Sequence, residues 1–424
     1  MPQPISLLEE LAWRGLLYQQ TEGLAAHLAT GPVRGYCGFD PTAASLHVGN
    51  LVPVMGLVHL ARAGHTPVAL VGGGTAMIGD PSGKANERTL MTVEQIDANA
   101  AAIHAQLEGV CQRALGESSA PVVLMRNNAS WLRTLDLVSF LRDTGKHFSI
   151  NYMLAKDSVA SRLENGISFT EFAYMLMQAY DFLHLSQHDG VSLQIGGSDQ
   201  WGNMTAGTEL IRRASSADAF AVTLPLVTTS SGQKFGKTEA GAVWLDASLT
   251  SPYQFYQFWI NAEDGDVGKY LRMFTLLDRE TIEALEASHA EAPHERRAQR
   301  TLAREVTTLL HSAALADAAE RASRIVFDKK LDPRTIAPEV FEMLSREIPL
   351  VTLPQADVDV LTVLEQAFAQ SRGAGKKLLQ QGAVLVNGEK VAADAPMVAA
   401  SGAVHGRWFL VRKGARDIAL VKLG

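Results

Sequence analysis

Tyr36-Cys37-Gly38-Phe39-Asp40-Pro41-Thr42-Ala43-Ala44-Ser45-Leu46-His47-Val48-Gly49-Asn50 decides how this chain is read. The stretch reads as a buried strand, a polar turn and the start of a helix. Leu51, Val54, Met55 and Val58 follow at helical spacing, and Gly64 ends the run. His47, Gly49 and Asn50 therefore sit at a helix N-terminus, where unpaired backbone N–H groups and the helix dipole attract phosphate. Glycine there lets a nucleotide approach the backbone closely. Thr66–Val71 is a second apolar run bounded by turn signals. Strand, helix, strand at this spacing is a βαβ unit, so the expected fold class is α/β with a doubly wound parallel sheet.

Further strands are expected at 121–125, 191–195 and 221–228. Ligands in such sheets bind beyond the carboxyl ends of strands, which favours Gln194, Gly197, Asp199 and Gln200. Ser168-x-x-Glu171 caps a helix whose core stripe is Phe172, Leu176, Ala179 and Leu183. Tyr174, Gln178 and Asp181 line another face of it. A solvated face usually carries Lys and Glu; Tyr, Gln and Asp are better suited to orienting a small polar ligand.

Lys234-Phe235-Gly236-Lys237-Thr238 puts two lysines and a hydroxyl on a short loop, a cationic clamp for phosphate. Other nucleotide motifs fail. A dinucleotide fingerprint starting at Gly72 meets Met77 where it needs glycine. A Walker A loop ending at Gly83-Lys84 meets Ile78 and Ala85, and one ending at Lys237-Thr238 meets Ser231. His184-x-x-x-His188 has metal-ligand spacing, but no third ligand is evident, so no metal site is expected.

At 424 residues the chain exceeds one ordinary core, and two or three domains are expected. Cys37 and Cys111 are the only cysteines, which excludes a disulfide framework and a Cys-rich zinc site. The apolar runs are too short to span a membrane, and the N-terminus has no basic, apolar leader pattern. A cytoplasmic protein is therefore expected. Net charge is -7, which argues against a nucleic-acid binder until the chain is divided. Nine basic against six acidic residues from Asp357 onward leave that segment at +3, and residues 1–356 at -10. A basic tail on an acidic body fits local polyanion binding. Residues 249–327 read as helical, 328–355 as a proline-containing linker, and 356–424 as a small α+β domain with a hairpin turn at Asn387-Gly388.

The phosphate helix and the lysine loop together resemble the paired signatures of class I aminoacyl-tRNA synthetases. The motifs around them narrow this. Tyr36 to Thr42, Gly79-Asp80-Pro81-Ser82-Gly83-Lys84, Gln178-Ala179-Tyr180-Asp181-Phe182 and Gly197-Ser198-Asp199-Gln200-Trp201-Gly202-Asn203 look like bacterial tyrosyl-tRNA synthetases. The resemblance implies a Rossmann-like catalytic domain over 1–248 and an RNA-binding domain over 356–424. It implies ATP with Mg²⁺ and tyrosine as substrates, tyrosine tRNA as partner, and a homodimer. Tryptophan enzymes share the fold, but an indole has no phenol for Tyr36 and Asp181 to engage. A non-catalytic RNA-binding relative is the third reading, set against the near-complete signatures.

The resemblance also implies roles. His47, Asn50, Lys84, Arg88, Lys234, Lys237 and Thr238 stabilise charge on the phosphates. Tyr36 and Asp181 bind the phenol; Asp80, Tyr174 and Gln178 bind the ammonium, with Gln200 near the reacting groups. Cys37, Asp40, Thr42, Gly49, Gly197 and Asp199 join the ATP contacts. Arg372, Lys376 and Lys377 contact tRNA through a module resembling one in a ribosomal small-subunit protein. Lysines there keep charge but lose bidentate phosphate geometry. One departure stands out: the family's second signature histidine is Asn50 here, an amide that is neutral at every working pH.

Overall fold

The structure, a computed structural model, describes residues 6–80, 91–116, 123–160, 166–230, 232, 235–238, 241–328, 331–414 and 417–424. The chain forms two compact units: 1–250 with 262–302, and 251–261 with 303–424.

The first unit is built on six strands: β1 (Gln19–Gln20), β2 (Arg34–Phe39), β3 (Thr66–Val71), β4 (Leu124–Asn127), β5 (Val191–Gly197) and β6 (Phe220–Leu224). Their order across the sheet is β1-β6-β5-β2-β3-β4. The strands β6 to β4 are mutually parallel, as the sequence pattern predicts. The two-residue β1 adds an antiparallel edge that the pattern does not signal. The chain runs outward from β2 to β3 and β4, then returns to the other side of β2 to begin β5. The order therefore reverses between β2 and β5, which opens a crevice beyond their carboxyl ends.

Helices wall that crevice. The helix α1 (Leu51–Arg62) buries ten of its twelve residues, so it is a central helix rather than an amphipathic surface one. It closes on the sheet at Gly56, where a Cβ would lie 2.9 Å from Leu224 Cδ1. The helix α2 (Val93–Leu115) opens on a reciprocal Thr92–Gln95 capping box. The helix α3 (Phe169–Asp189) starts where Ser168 Oγ accepts from the Glu171 N–H at 3.2 Å and stops at Gly190 in the left-handed conformation. Ala179, Phe182 and Leu185 of α3 share a core with Tyr36, Val68 and Leu70 of the sheet. The helix α4 (Trp201–Ser215) follows β5. Residues 262–302 are tied to this unit by Arg14, whose buried guanidinium donates to the carbonyls of Arg272, Thr275 and Leu277 at 2.9, 2.9 and 2.7 Å.

In the second unit a five-stranded sheet has Leu350–Leu353 at one edge, parallel to Asp417–Leu423. The Asn387-Gly388 turn joins Val384–Val386 to Glu389–Lys390, both turn residues at positive φ, the twist a two-residue hairpin needs. Arg412, 7% exposed, donates to the carbonyls of Ile325, Val326 and Asp328 at the end of the Ala313–Phe327 helix. A cation there satisfies carbonyls that the helix leaves unpaired. Among the described residues no helix is long and apolar enough to cross a membrane.

Candidate active site

Tyr36 on β2 and Gln194 on β5 are register partners at the strand crossover. Both are almost fully buried, and neither Tyr36 OH nor Gln194 Oε1 has a hydrogen-bond partner among the described residues. A buried polar atom left unpaired costs about 1–3 kcal/mol, so two on one face of the sheet mark a place for a ligand. Asp181 of α3 lies close enough to Tyr36 to raise its phenol pKa further, beyond the effect of burial.

Asp181 is 2% exposed. Its Oδ2 accepts from Asn128 Nδ2 at 2.8 Å and its Oδ1 from Trp131 Nε1 at 2.7 Å. Burial pushes its carboxyl up to about 7; those two donors oppose the rise, and the charge of Asp40 adds to it. Two turns earlier on α3, Tyr174 OH donates to Asp40 Oδ2 at 2.9 Å, and Thr75 Oγ1 donates to Asp40 Oδ1 at 2.7 Å. Gly72 makes room for this carboxylate: a Cβ there would lie 2.0 Å from Asp40 Oδ1. The glycines at 72–74 thus serve side-chain packing. A second chain of bonds runs along the other wall. Gln200 Nε2 donates to Asp80 Oδ2 at 2.6 Å, and Asn203 Nδ2 donates to Gln178 Oε1 at 3.0 Å and Gln200 Oε1 at 3.3 Å. Tyr174 feels Asp40, Asp80 and Asp181 together, which with burial holds its phenol protonated.

The structure thus brings together Tyr36, Asp40, Asp80, Tyr174, Gln178, Asp181 and Gln200 from the sequence reading. It adds Thr75, Asn128 and Trp131, which the sequence reading missed, and gives a place to Asn203, quoted there only as the end of a motif. The only local signal was Thr75 and Asn128 as polar residues just after strands; Trp131 gave none. Cys37 is buried, and burial pushes its thiol up to about 12, which leaves no nucleophile there.

The other part of the expected site is built from the helix start. His47 Nδ1 accepts from the Gly49 N–H at 3.0 Å, and Asn50 Oδ1 accepts from the His47 N–H at 3.0 Å. Asn50 is thus the reciprocal half of a cap, a task an amide oxygen performs at any pH. A Cβ on Gly49 would lie 2.8 Å from His47 Cε1, so glycine here also lets the imidazole fold back. The lysine loop meets this helix start. Val48 N–H donates to Val243 O at 2.9 Å, and Val243 N–H to Gly236 O at 3.2 Å. Gly236 has φ +80, and a Cβ on it would lie 2.5 Å from Val48 Cγ2. Phe235 anchors the loop by packing on Tyr270 and Phe274, with ring centroids 5.1 and 5.3 Å apart. Lys237 and Thr238 form a short hairpin strand with Gly241–Ala242. Lys84, Arg88 and Lys234 lie outside the described residues. Gly197 begins the turn carrying the exposed Asp199, and Thr42 is exposed just beyond β2.

In the second unit Lys376 and Lys377 are exposed on the Arg372–Gln380 helix, while Arg372 is paired with Asp359 at 2.7 Å. Among the described residues no group of three or more His, Cys, Asp or Glu is arranged to hold a metal ion. His184 and His188 stack on one another instead.

A doubly wound sheet, with a histidine-capped helix start against a lysine loop at its crossover, is the architecture of class I aminoacyl-tRNA synthetases. The family model described as tRNA synthetases class I (W and Y) matches residues 28–328, and one described as Tyrosine--tRNA ligase SYY-like C-terminal domain matches residues 340–421. The chain belongs to the tyrosine–tRNA ligase family. It is 50% identical to a tyrosine–tRNA ligase of Anaeromyxobacter dehalogenans, across 99% of both chains. It is 47% identical to one of Geobacillus stearothermophilus, across 99% of this chain and all of the relative. The structure of a C-terminally truncated mitochondrial tyrosyl-tRNA synthetase of Aspergillus nidulans aligns with TM-score 0.70 and 32% identity, over 76% of this chain and 94% of that one. A tryptophanyl-tRNA synthetase of Encephalitozoon cuniculi shares the fold at TM-score 0.53 and 12% identity.

Proposed function

We propose that the chain joins tyrosine to tyrosine tRNA in two steps at this crevice. The observation that carries the reading is the pair of unpartnered buried oxygens, Tyr36 OH and Gln194 Oε1, beside Asp181. A phenol hydroxyl accepts from one partner and donates to another, which suits Tyr36 with Asp181 or Gln194. An indole N–H can only donate, so it could not accept the Tyr36 O–H and also donate to Asp181 or Gln194, as a phenol does. Asp80, Tyr174 and Gln178 hold the ammonium group, with Asp80 and Gln178 kept in place by Gln200 and Asn203.

In the first step a carboxylate oxygen of tyrosine attacks the α-phosphorus of ATP and pyrophosphate leaves. The carboxylate is already a nucleophile, so positioning and stabilisation of phosphate charge carry the catalysis. His47, Asn50, Lys84, Arg88, Lys234, Lys237 and Thr238 serve the phosphates, which arrive with Mg²⁺; Cys37, Asp40, Thr42, Gly49, Gly197 and Asp199 line the nucleotide side. In the second step a hydroxyl of the tRNA's terminal ribose attacks the acyl carbon and AMP leaves. Residues 1–248 supply activation and 356–424 bind tRNA through Lys376 and Lys377, with 249–327 and 328–355 between them.

Leu137, Val138 and Phe169 are 67, 72 and 79% exposed. This apolar exposure supports a homodimer formed through the catalytic body. The cytoplasm is the compartment this reading assigns, since protein synthesis there uses both tRNA and ATP. The deciding experiment is exchange of labelled pyrophosphate into ATP. It should depend on tyrosine, and proceed poorly with phenylalanine or tryptophan. Exchange indifferent to tyrosine would end this reading.

A further inference from the structure

Trp131 sits on the four-residue helix Ala129–Leu132, which is too short to be rigid alone. Its indole nevertheless has to aim one N–H at Asp181 Oδ1, 2.7 Å away. What it lies against is His184: the two rings are 4.2 Å apart and 19° from parallel. The same imidazole lies 4.1 Å from the ring of His188, at 21°. Two rings cannot share one face of an imidazole at that distance, so His184 is sandwiched between them. His188 is held in turn by its Nδ1 on the carbonyl of His184, 2.9 Å away. His184 follows Asp181 by three positions on α3, on the same side of the helix.

We infer that His184 is a positioning residue for recognition of the amino-acid side chain: its ring holds the Trp131 indole so that Nε1–H stays on Asp181. This rests on the reading of Asp181 as a ligand of the substrate phenol. The task needs a flat ring, worth more than the area it covers when stacked on another. Burial and His188 lower the His184 pKa, against the pull of Asp189, so the ring stacks in its neutral form. The other charges around the column are committed. Asp189 accepts from Arg126 at 2.6 and 3.0 Å, Arg34 donates to the Asp189 carbonyl, and Arg133 beyond Trp131 is paired with Asp97. Facing Asp181 are Asn128, Trp131, Asp40, and the phenols of Tyr36, Tyr174 and Tyr180. Of the two donors that hold its carboxyl down, Trp131 is the one His184 governs.

The test compares His184→Ala and His184→Phe with the parent in tyrosine-dependent pyrophosphate exchange. Alanine should raise KM for tyrosine about ten-fold, the scale of a weakened bond to a charged group, with KM for ATP and kcat nearly unchanged. The acid limb of kcat/KM for tyrosine should move to higher pH, because Asp181 loses a donor that favours its ionised form. Phenylalanine should restore most of the affinity. An alanine variant with the parent's KM for tyrosine would overturn the inference. So would a phenylalanine variant as impaired as alanine, or an equal rise in KM for ATP. A parent protein without tyrosine-dependent exchange would instead strike at the reading of the site itself.

Discussion

Tyr36 and Gln194 face each other across the strand crossover, and each ends in a buried oxygen with no partner among the described residues. A phenol bound there would accept from Tyr36 OH and donate to Gln194 Oε1. Phenylalanine would leave Tyr36 OH unpaired. Replacing Tyr36 by Phe should therefore lower selectivity for tyrosine over phenylalanine by about ten-fold or more. Relative kcat/KM for the two amino acids measures this, and an unchanged ratio would remove Tyr36 from the pocket.

The pH profile should report Asp181. Its carboxyl, raised to about 7 by burial, takes up a proton as pH falls through neutrality. Protonated, it can no longer accept with both oxygens from Asn128 and Trp131 and also receive a phenol. kcat/KM for tyrosine, which reflects free enzyme, should thus fall below about pH 7. Asp181→Asn should be less active and lack that limb. A parent profile flat from pH 6 to 8 would contradict the assignment.

Gly236 should resist even alanine. Its φ of +80 disfavours any side chain, and the new methyl would sit 2.5 Å from Val48 Cγ2. The lysine loop would be pushed off the helix start to which we assign the phosphates. Gly236→Ala should lower kcat for activation by about ten-fold or more, with a smaller effect on KM for tyrosine. Full activity would show that the contact is incidental.

Arg412 should matter for stability. Removing it strips donors from carbonyls at the end of the Ala313–Phe327 helix. Arg412→Ala should cost about 2–4 kcal/mol in denaturant unfolding. A change under half that would mean water replaces the guanidinium without penalty.

Lys376→Ala with Lys377→Ala should weaken tRNA binding and flatten its salt dependence, since fewer counterions are released. Pyrophosphate exchange should stay at the parental level. Titrations at two salt concentrations decide it, and an unaltered slope would place these lysines on an ordinary solvated face.

The sequence alone carried the βαβ start, the parallel sheet, the capped helix bearing Tyr174, Gln178 and Asp181, and the Asn387-Gly388 hairpin. Each is encoded by spacing within a few residues, where backbone geometry makes pattern and structure equivalent. Tertiary structure alone decided the rest. Thr75, Asn128, Trp131 and Asn203 look like ordinary turn and helix residues in one dimension. They become part of the site because strand order brings Asn128 and Trp131 to Asp181, and Asn203 to Gln178. The same holds for Gly236, whose reason lies at Val48, and for Leu350–Leu353, which reads as linker yet pairs with Asp417–Leu423. Local periodicity specifies which face of an element is buried. It does not specify which distant side chain will be waiting there, because that depends on how the whole sheet is ordered.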